Sequence, residues 1–143
     1  SAFDTITVNL ISIVSGIVQR QGATTDSGVT IILSNGIDTY TTYSDTIGYF
    51  TIPIIQQDTW TVRYTRLGYL DIAFQIYVNA NVMIDTRILL AGDFFKDNSI
   101  DIKDAAFIKK YWGQIMPEYD IDGDGKIGVM EKYYLQLNYN KHE

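Results

Sequence analysis

The segment DIDGDGKIGVME, residues 120–131, constrains this chain more than any other stretch. It places Asp120, Asp122 and Asp124 at alternate positions, Gly125 sixth and Glu131 twelfth. Ca²⁺ is a hard cation that takes about six to eight oxygens, and a twelve-residue loop supplies them from positions 1, 3, 5, 7, 9 and 12. Here those positions give Asp120, Asp122, Asp124, the Lys126 backbone carbonyl, a water admitted beside Gly128, and both oxygens of Glu131. Gly125 suits the positive φ that the sharp turn at position 6 requires.

Twenty-seven residues earlier the pattern recurs more loosely as DFFKDNSIDIKD, residues 93–104. Asp93, Asp97, the Ser99 carbonyl, Asp101 and Asp104 fall at positions 1, 5, 7, 9 and 12. Phe95 cannot ligate at position 3, Asn98 replaces the glycine at position 6, and Asp104 is shorter than the usual glutamate. Asn tolerates the left-handed conformation better than most residues, so the turn survives. A water in place of the missing side chain completes a second site, and the expected cofactor is two Ca²⁺.

The flanks of the loops are unusual. A complete EF-hand has a helix on each side of its loop. Asp93 instead follows MIDTRILLAG, which reads as a strand, and Pro117 in GQIMPEY discourages a helix before Asp120. Each unit is therefore a loop followed by a helix, half of an EF-hand.

Composition narrows the function classes. A net charge of −6 argues against nucleic acid, whose phosphates call for a basic face. There is no apolar run of about 18 residues, so membrane insertion is not expected. The chain has no cysteine, hence no disulfide or thiolate chemistry, and its one histidine, His142, lies next to the end, where fraying is expected. A histidine-based triad or zinc site is excluded on the same ground. A start at Ser1 without a signal-peptide pattern suggests a piece excised from something longer.

The charged residues also mark a boundary. The four arginines (Arg20, Arg63, Arg66, Arg87) precede residue 91, and the seven lysines follow it. Residues 1–90 read as short strands: TVNLISIVSGIVQRQG, GVTIILSNG, DTYTTYSDTIGYFTIPI, DTWTVRYTRLGY and VMIDTRILL, most bounded by Gly, Asn or Asp. In WTVRYTR, Trp60, Val62 and Tyr64 should face a core while Thr61, Arg63 and Thr65 face out. Such spacing predicts a β-sandwich. Asp45, Gly48, Tyr49, Phe50, Tyr64, Gly68 and Tyr69 carry a resemblance to the small immunoglobulin-like or transthyretin-like modules related to the carboxypeptidase regulatory domain. That resemblance speaks to fold and says little about function.

Two loop-helix repeats, each opening on Gly-Asp or Tyr-Asp within the last 53 residues, resemble a dockerin. With a sandwich directly before GDFFKDNSIDIKDA, the whole resembles the X-module and type II dockerin pair of a cellulosomal scaffoldin. The resemblance implies two domains: residues 1–90, an all-β immunoglobulin-like sandwich (X-module), and residues 91–143, a small all-α dockerin of two calcium loop-helix repeats. It implies a non-catalytic module outside the cell, monomeric when unbound, that binds a cohesin, type II, of an anchoring or adaptor scaffoldin. The X-module would stabilise the dockerin.

The two repeats, aligned by loop position, separate core from surface. Ile108 with Leu135, and Phe107 with Tyr134, form an apolar stripe that closes the core, and Ile100 and Ile127 should pair across the loops. A second face carries Ile102, Lys103, Ala106 and Lys110 in the first repeat and Val129, Met130, Tyr133 and Leu137 in the second. So small a module cannot bury two apolar faces per helix by itself, which points to a partner or to packing on the sandwich. In dockerins these positions contact cohesin, and the differing repeats imply one dominant orientation weighted to the second helix.

Three other readings compete. A calcium sensor that opens around a peptide helix is disfavoured, because the entering helices are missing. A calcium-stabilised carbohydrate-binding or adhesion sandwich would use Tyr40, Tyr43, Tyr49, Tyr64, Tyr69 and Tyr77, although alternating aromatics in strands more often fill a core. An enzyme is least favoured, since no nucleophile is paired with a base.

Overall fold

The structure is a computed structural model that describes residues 11–143. The first strand reading began at Thr7, so its residues 7–10 lie outside the described residues. Nine strands precede two helices: β1 Ser12–Arg20, β2 Thr30–Ser34, β3 Thr39–Tyr43, β4 Tyr49–Ile54, β5 Asp58–Thr65, β6 Gly68–Tyr69, β7 Ile72–Val78, β8 Val82–Leu89, β9 Ala91–Asp93, α1 Ile102–Tyr111 and α2 Val129–Leu137. They form sheets of order β4-β1-β8 and β3-β2-β5-β7, with a small third pair, β6-β9.

Side-chain alternation fixes which face of each strand is buried. Trp60, Val62 and Tyr64 are fully buried, while Thr61, Arg63 and Thr65 point away from the core, as the period of two requires. Opposite them, Val14 and Val18 of β1 and Phe50, Ile52 and Ile54 of β4 supply the facing layer. Phe50 meets Tyr64 edge-on across the sheets at 5.6 Å between ring centres. The Asp45–Gly48 turn closes this layer: Gly48, at φ 84°, lies under the Val18 carbonyl, where a Cβ would overlap the backbone.

β7 escapes the sequence reading. In IAFQIYV only Gln75 is polar, so there is no alternation to detect, yet the strand pairs along β5 from Ile72 opposite Tyr64 to Val78 opposite Asp58. Ile72, Phe74 and Ile76 are partly buried against the core, whereas Ala73, Gln75 and Tyr77 are exposed.

The expected division into an all-β domain and a separate all-α domain is overturned. The described residues make one mostly-β unit with two short helices, of 10 and 9 residues. A single hydrophobic core runs without a break from Val14 through Leu89, Ala91, Phe94, Ile100 and Ile127 to Leu135. The physical reason lies at residues 91–93: β9 pairs with β6 and also carries α2 against it. The Cβ that Gly92 lacks would press on Ile100 and on the Leu135 backbone. Helices this short cannot close a core alone, so they share the one built by the strands.

Polar contacts bind the same junction. Buried Asn138, just past α2, donates 2.7 Å hydrogen bonds to the Ala91 carbonyl and to Gln21 Oε1. Gln21 Oε1 also accepts from the Ala91 amide at 3.0 Å, and Tyr69 Oη donates to the Gln21 carbonyl at 3.1 Å. Among the described residues no helix is long and apolar enough to cross a membrane.

Candidate calcium loops and interaction face

The first loop is entered from β9, which ends at Asp93, and the second from a 3₁₀ turn, Pro117–Tyr119. Neither has an entering helix. The backbone takes positive φ at positions 4 and 6 of both: Lys96 (54°) and Asn98 (63°) in the first, Gly123 (88°) and Gly125 (79°) in the second. The sequence foretold position 6; position 4 escaped it because Lys96 carries no left-handed signature.

The end positions of each loop fold it around carboxylates. Asp93 accepts from the amides of Asp97 and Asn98, and Asp120 from those of Gly123 and Gly125. At position 12, buried Asp104 accepts from the amides of Phe95 and Asp101, and buried Glu131 from those of Ile121 and Gly128. Asp104 and Glu131 are also the third residues of α1 and α2, so each ties its loop to the start of a helix.

Four side chains, Asp120, Asp122, Asp124 and Glu131, each bring a carboxylate oxygen within 4.8 Å of the others. Asp93, Asp97 and Asp104 do the same in the first loop. Asp101, expected at position 9, stands outside that cluster and caps α1, accepting from the Lys103 amide. Ser99 and Lys126 occupy position 7, where the expected ligand is a backbone carbonyl.

The two clusters differ in charge balance: in the first, Lys96 Nζ lies 3.7 Å from Asp93 and Lys103 Nζ 3.4 Å from Asp97, whereas among the described residues no lysine or arginine pairs with the four carboxylates of the second. Burial pushes the Asp93 carboxyl up to about 6, against the opposing pull of Lys96 and the two amides. Asp122 is also pushed up to about 6, by partial burial and by its hydrogen bond with Asp120, and burial raises Asp104. Packed carboxylates of this kind favour either a proton or a metal ion. An all-oxygen donor set suits a hard divalent cation.

Ile100 and Ile127 are fully buried, but their backbones do not pair with each other. The Ile100 amide donates to the Lys141 carbonyl, and its carbonyl accepts from Asn140. Ile127 donates to the Gln114 carbonyl and accepts from Gly113 in the same way. Each loop is clasped by the segment that follows a helix, with the 27-residue offset preserved.

The predicted partner face is solvent-exposed. Ile102 and Val129 are 69% and 71% exposed, Tyr133 and Leu137 about half, so this stripe does not pack on the sandwich. Lys103, Ala106 and Lys110 are exposed as well, and Met130 is half-buried. A different set of side chains lines a groove of about 770 Å³ between α1 and α2: Ala105, Ile108, Lys109, Trp112, Lys132, Leu135, Gln136 and Tyr139. The repeat offset relates these residues in four pairs, including Ile108 with Leu135 and Trp112 with Tyr139. Trp112 and Tyr139 were missed because both lie just past the helix ends, outside the stripe that helical spacing marks.

Of the six tyrosines in the sugar-binding reading, Tyr40 is half-buried against Trp60. Tyr64 and Tyr69 are buried. Exposed Tyr43 and Tyr77 align with opposite ends of β5, through Thr30 to Thr65 and at Thr59, while Tyr49 is on the other sheet.

No family model matches the chain, and no curated protein matches it. Among solved structures it is similar to chains of a type II cohesin–X-dockerin complex from Acetivibrio cellulolyticus. An N-terminal interface mutant of that complex matches at 24% identity and a C-terminal interface mutant at 22%. Each match has a TM-score of 0.76 and covers 92% of this chain and 97% of the other. The superposition spans the expected boundary at residue 90 as one piece, in agreement with the single core. It also removes the ground for naming a cohesin as this chain's partner: the matched complex holds cohesin and X-dockerin together, and cohesin is there the binder of a dockerin. The expectation of a cohesin on an anchoring or adaptor scaffoldin is therefore withdrawn. At this identity the likeness establishes the fold alone.

Proposed function

We propose that this chain is a non-catalytic protein-interaction module of an extracellular, cellulosome-type assembly. In this reading two Ca²⁺ order the loops, and the loops set α1 and α2 so that their exposed face and groove take a folded protein partner. One observation carries it: apolar Ile102, Val129, Tyr133 and Leu137 lie exposed on α1 and α2, among the described residues no element covers them, and a groove lined by Trp112 and Tyr139 opens between the same two helices. Exposed apolar and aromatic side chains of this kind, with lysines on the same two helices, have the makeup of an interface core and its rim. The fold shared with a cohesin–X-dockerin complex supports the setting.

The proposed ions are held by Asp120, Asp122, Asp124, the Lys126 carbonyl and Glu131 in the second loop. In the first they are held by Asp93, Asp97, the Ser99 carbonyl and Asp104, with Asp101 nearby. Buried Asp104 and Glu131, which have no basic partner among the described residues, fit such a role because isolated carboxylates are costly inside a protein without a counter-charge, and buried Asp93 has only the Lys96 ammonium 3.7 Å away.

The face is not symmetric, since Lys103 and Lys110 stand where the second repeat has Met130 and Leu137. Surface binding assays against immobilised folded modules of cellulosome-type assemblies should identify the partner. Met130→Glu with Leu137→Glu is then expected to weaken binding by roughly a hundredfold, as loss of central anchors does. Lys103→Glu with Lys110→Glu should cost less than about tenfold, as rim charges do. Equal losses would contradict an interface centred on α2.

A further inference from the structure

Lys96 occupies position 4 of the first loop, yet its side chain turns towards the strands. Its Nζ donates to the Tyr69 carbonyl at 2.6 Å and to Asp71 Oδ1 at 2.5 Å, and lies 3.7 Å from Asp93 Oδ2. The other Asp71 oxygen accepts from Arg63 at 3.0 Å, and Arg63 also pairs with Glu143 at 3.0 Å. Asp71 is nearly enclosed, its side chain 9% exposed. Burial alone would raise its carboxyl, but hydrogen bonds from Lys96, Thr65 and Arg63 outweigh that and hold it below the usual range. The equivalent position in the second loop is Gly123, which brings no ammonium.

An ammonium has three N–H donors. Two of those on Lys96 are engaged by Tyr69 of β6 and by Asp71, just before β7, leaving Asp93 as its distant third acceptor. Asp93 is also the first carboxylate of the loop, so a free Lys96 ammonium and a divalent cation would compete for the same oxygens.

We propose that Asp71 is a positioning residue for the first calcium site: by holding the Lys96 ammonium aside, it keeps the Asp93 carboxylate open to the ion. This rests on the calcium reading above. It makes the first loop, unlike the second, depend on a contact from outside its own repeat. In Asp71→Asn the ammonium loses its charged partner and falls back on Asp93. In Asp71→Asn with Lys96→Met no ammonium remains beside Asp93, and the Lys103–Asp97 pair is the same as in the parent chain.

The test is a Ca²⁺ titration of the intact chain followed by the amide resonances of Asn98 and Gly125, one in each loop. Asp71→Asn should weaken the first loop by about tenfold or more, the usual cost of losing an outer-shell partner, and leave the second unchanged. Adding Lys96→Met should restore the first loop, a rescue that a merely structural role for Asp71 would not produce. Unchanged first-loop affinity in Asp71→Asn would overturn the inference alone, as would a double variant no better than the single. If Asp71→Asn fails to fold, recovery of folding and first-loop binding in the double variant supports the inference, and lack of recovery overturns it. A wild-type chain with no Ca²⁺-dependent shift in either loop would overturn the calcium reading and this inference with it.

Discussion

Chelation with EDTA is expected to remove most of the helical circular-dichroism signal of α1 and α2 while leaving the β-sheet signal in place. Residues 91–143 carry seven lysines against ten acidic residues, a net −3 that two Ca²⁺ would turn into +1. Without the ions, four carboxylates crowd within 4.8 Å in the second loop and three in the first. Asp104 and Glu131 would sit buried at the start of helices of only 10 and 9 residues, lengths that are marginal alone. Each ion at a hundredfold excess over its Kd adds about 2.7 kcal/mol of stability, so losing two removes a large part of what holds the loop-helix units. The sheets keep their own apolar layers, Val14 and Phe50 against Trp60 and Tyr64, none of which touches an acidic cluster. Helical ellipticity unchanged by EDTA would contradict this.

The second large effect is expected at Asn138. Truncation to Ala removes two 2.7 Å hydrogen bonds, and the Ala91 carbonyl loses a donor in a place closed to water. A buried polar group left unsatisfied costs about 1–3 kcal/mol, and Gln21 Oε1 keeps its bond from the Ala91 amide, so a loss of about 2–3 kcal/mol is expected. Urea denaturation with Ca²⁺ present should show it as a shift of one cooperative transition, because a single core joins strands and helices. A change below about 0.5 kcal/mol, or two separate transitions, would contradict the joint described here.

The carboxylate clusters of both loops were legible because acidic residues recur at fixed spacing with a left-handed turn among them. Asp101 lies outside the direct carboxylate cluster because its side chain caps α1. The β5 pattern was legible because its two faces differ; β7 was not, because Ile72, Phe74 and Ile76 alternate with Ala73 and Tyr77 rather than with charged residues. The change from arginine to lysine suggested two domains, yet the charged side chains lie largely outside the core, and the core decides cooperativity. The contact of Lys96 with Asp71 joins residues 25 apart, which no local pattern reveals. The groove was half legible: Ile108 and Leu135 were placed on the inner stripe, but their shared opening beside Trp112 and Tyr139 depends on how the helices cross.

The most direct test is calorimetric titration of the intact chain against a panel of folded modules from cellulosome-type assemblies, first in Ca²⁺ and then in EDTA. Saturable one-to-one binding to a folded module in Ca²⁺, abolished by EDTA and by Met130→Glu with Leu137→Glu, is the predicted result. No binding to any folded module in a chain that folds with Ca²⁺, together with retention on a polysaccharide gel, would contradict a protein-interaction role.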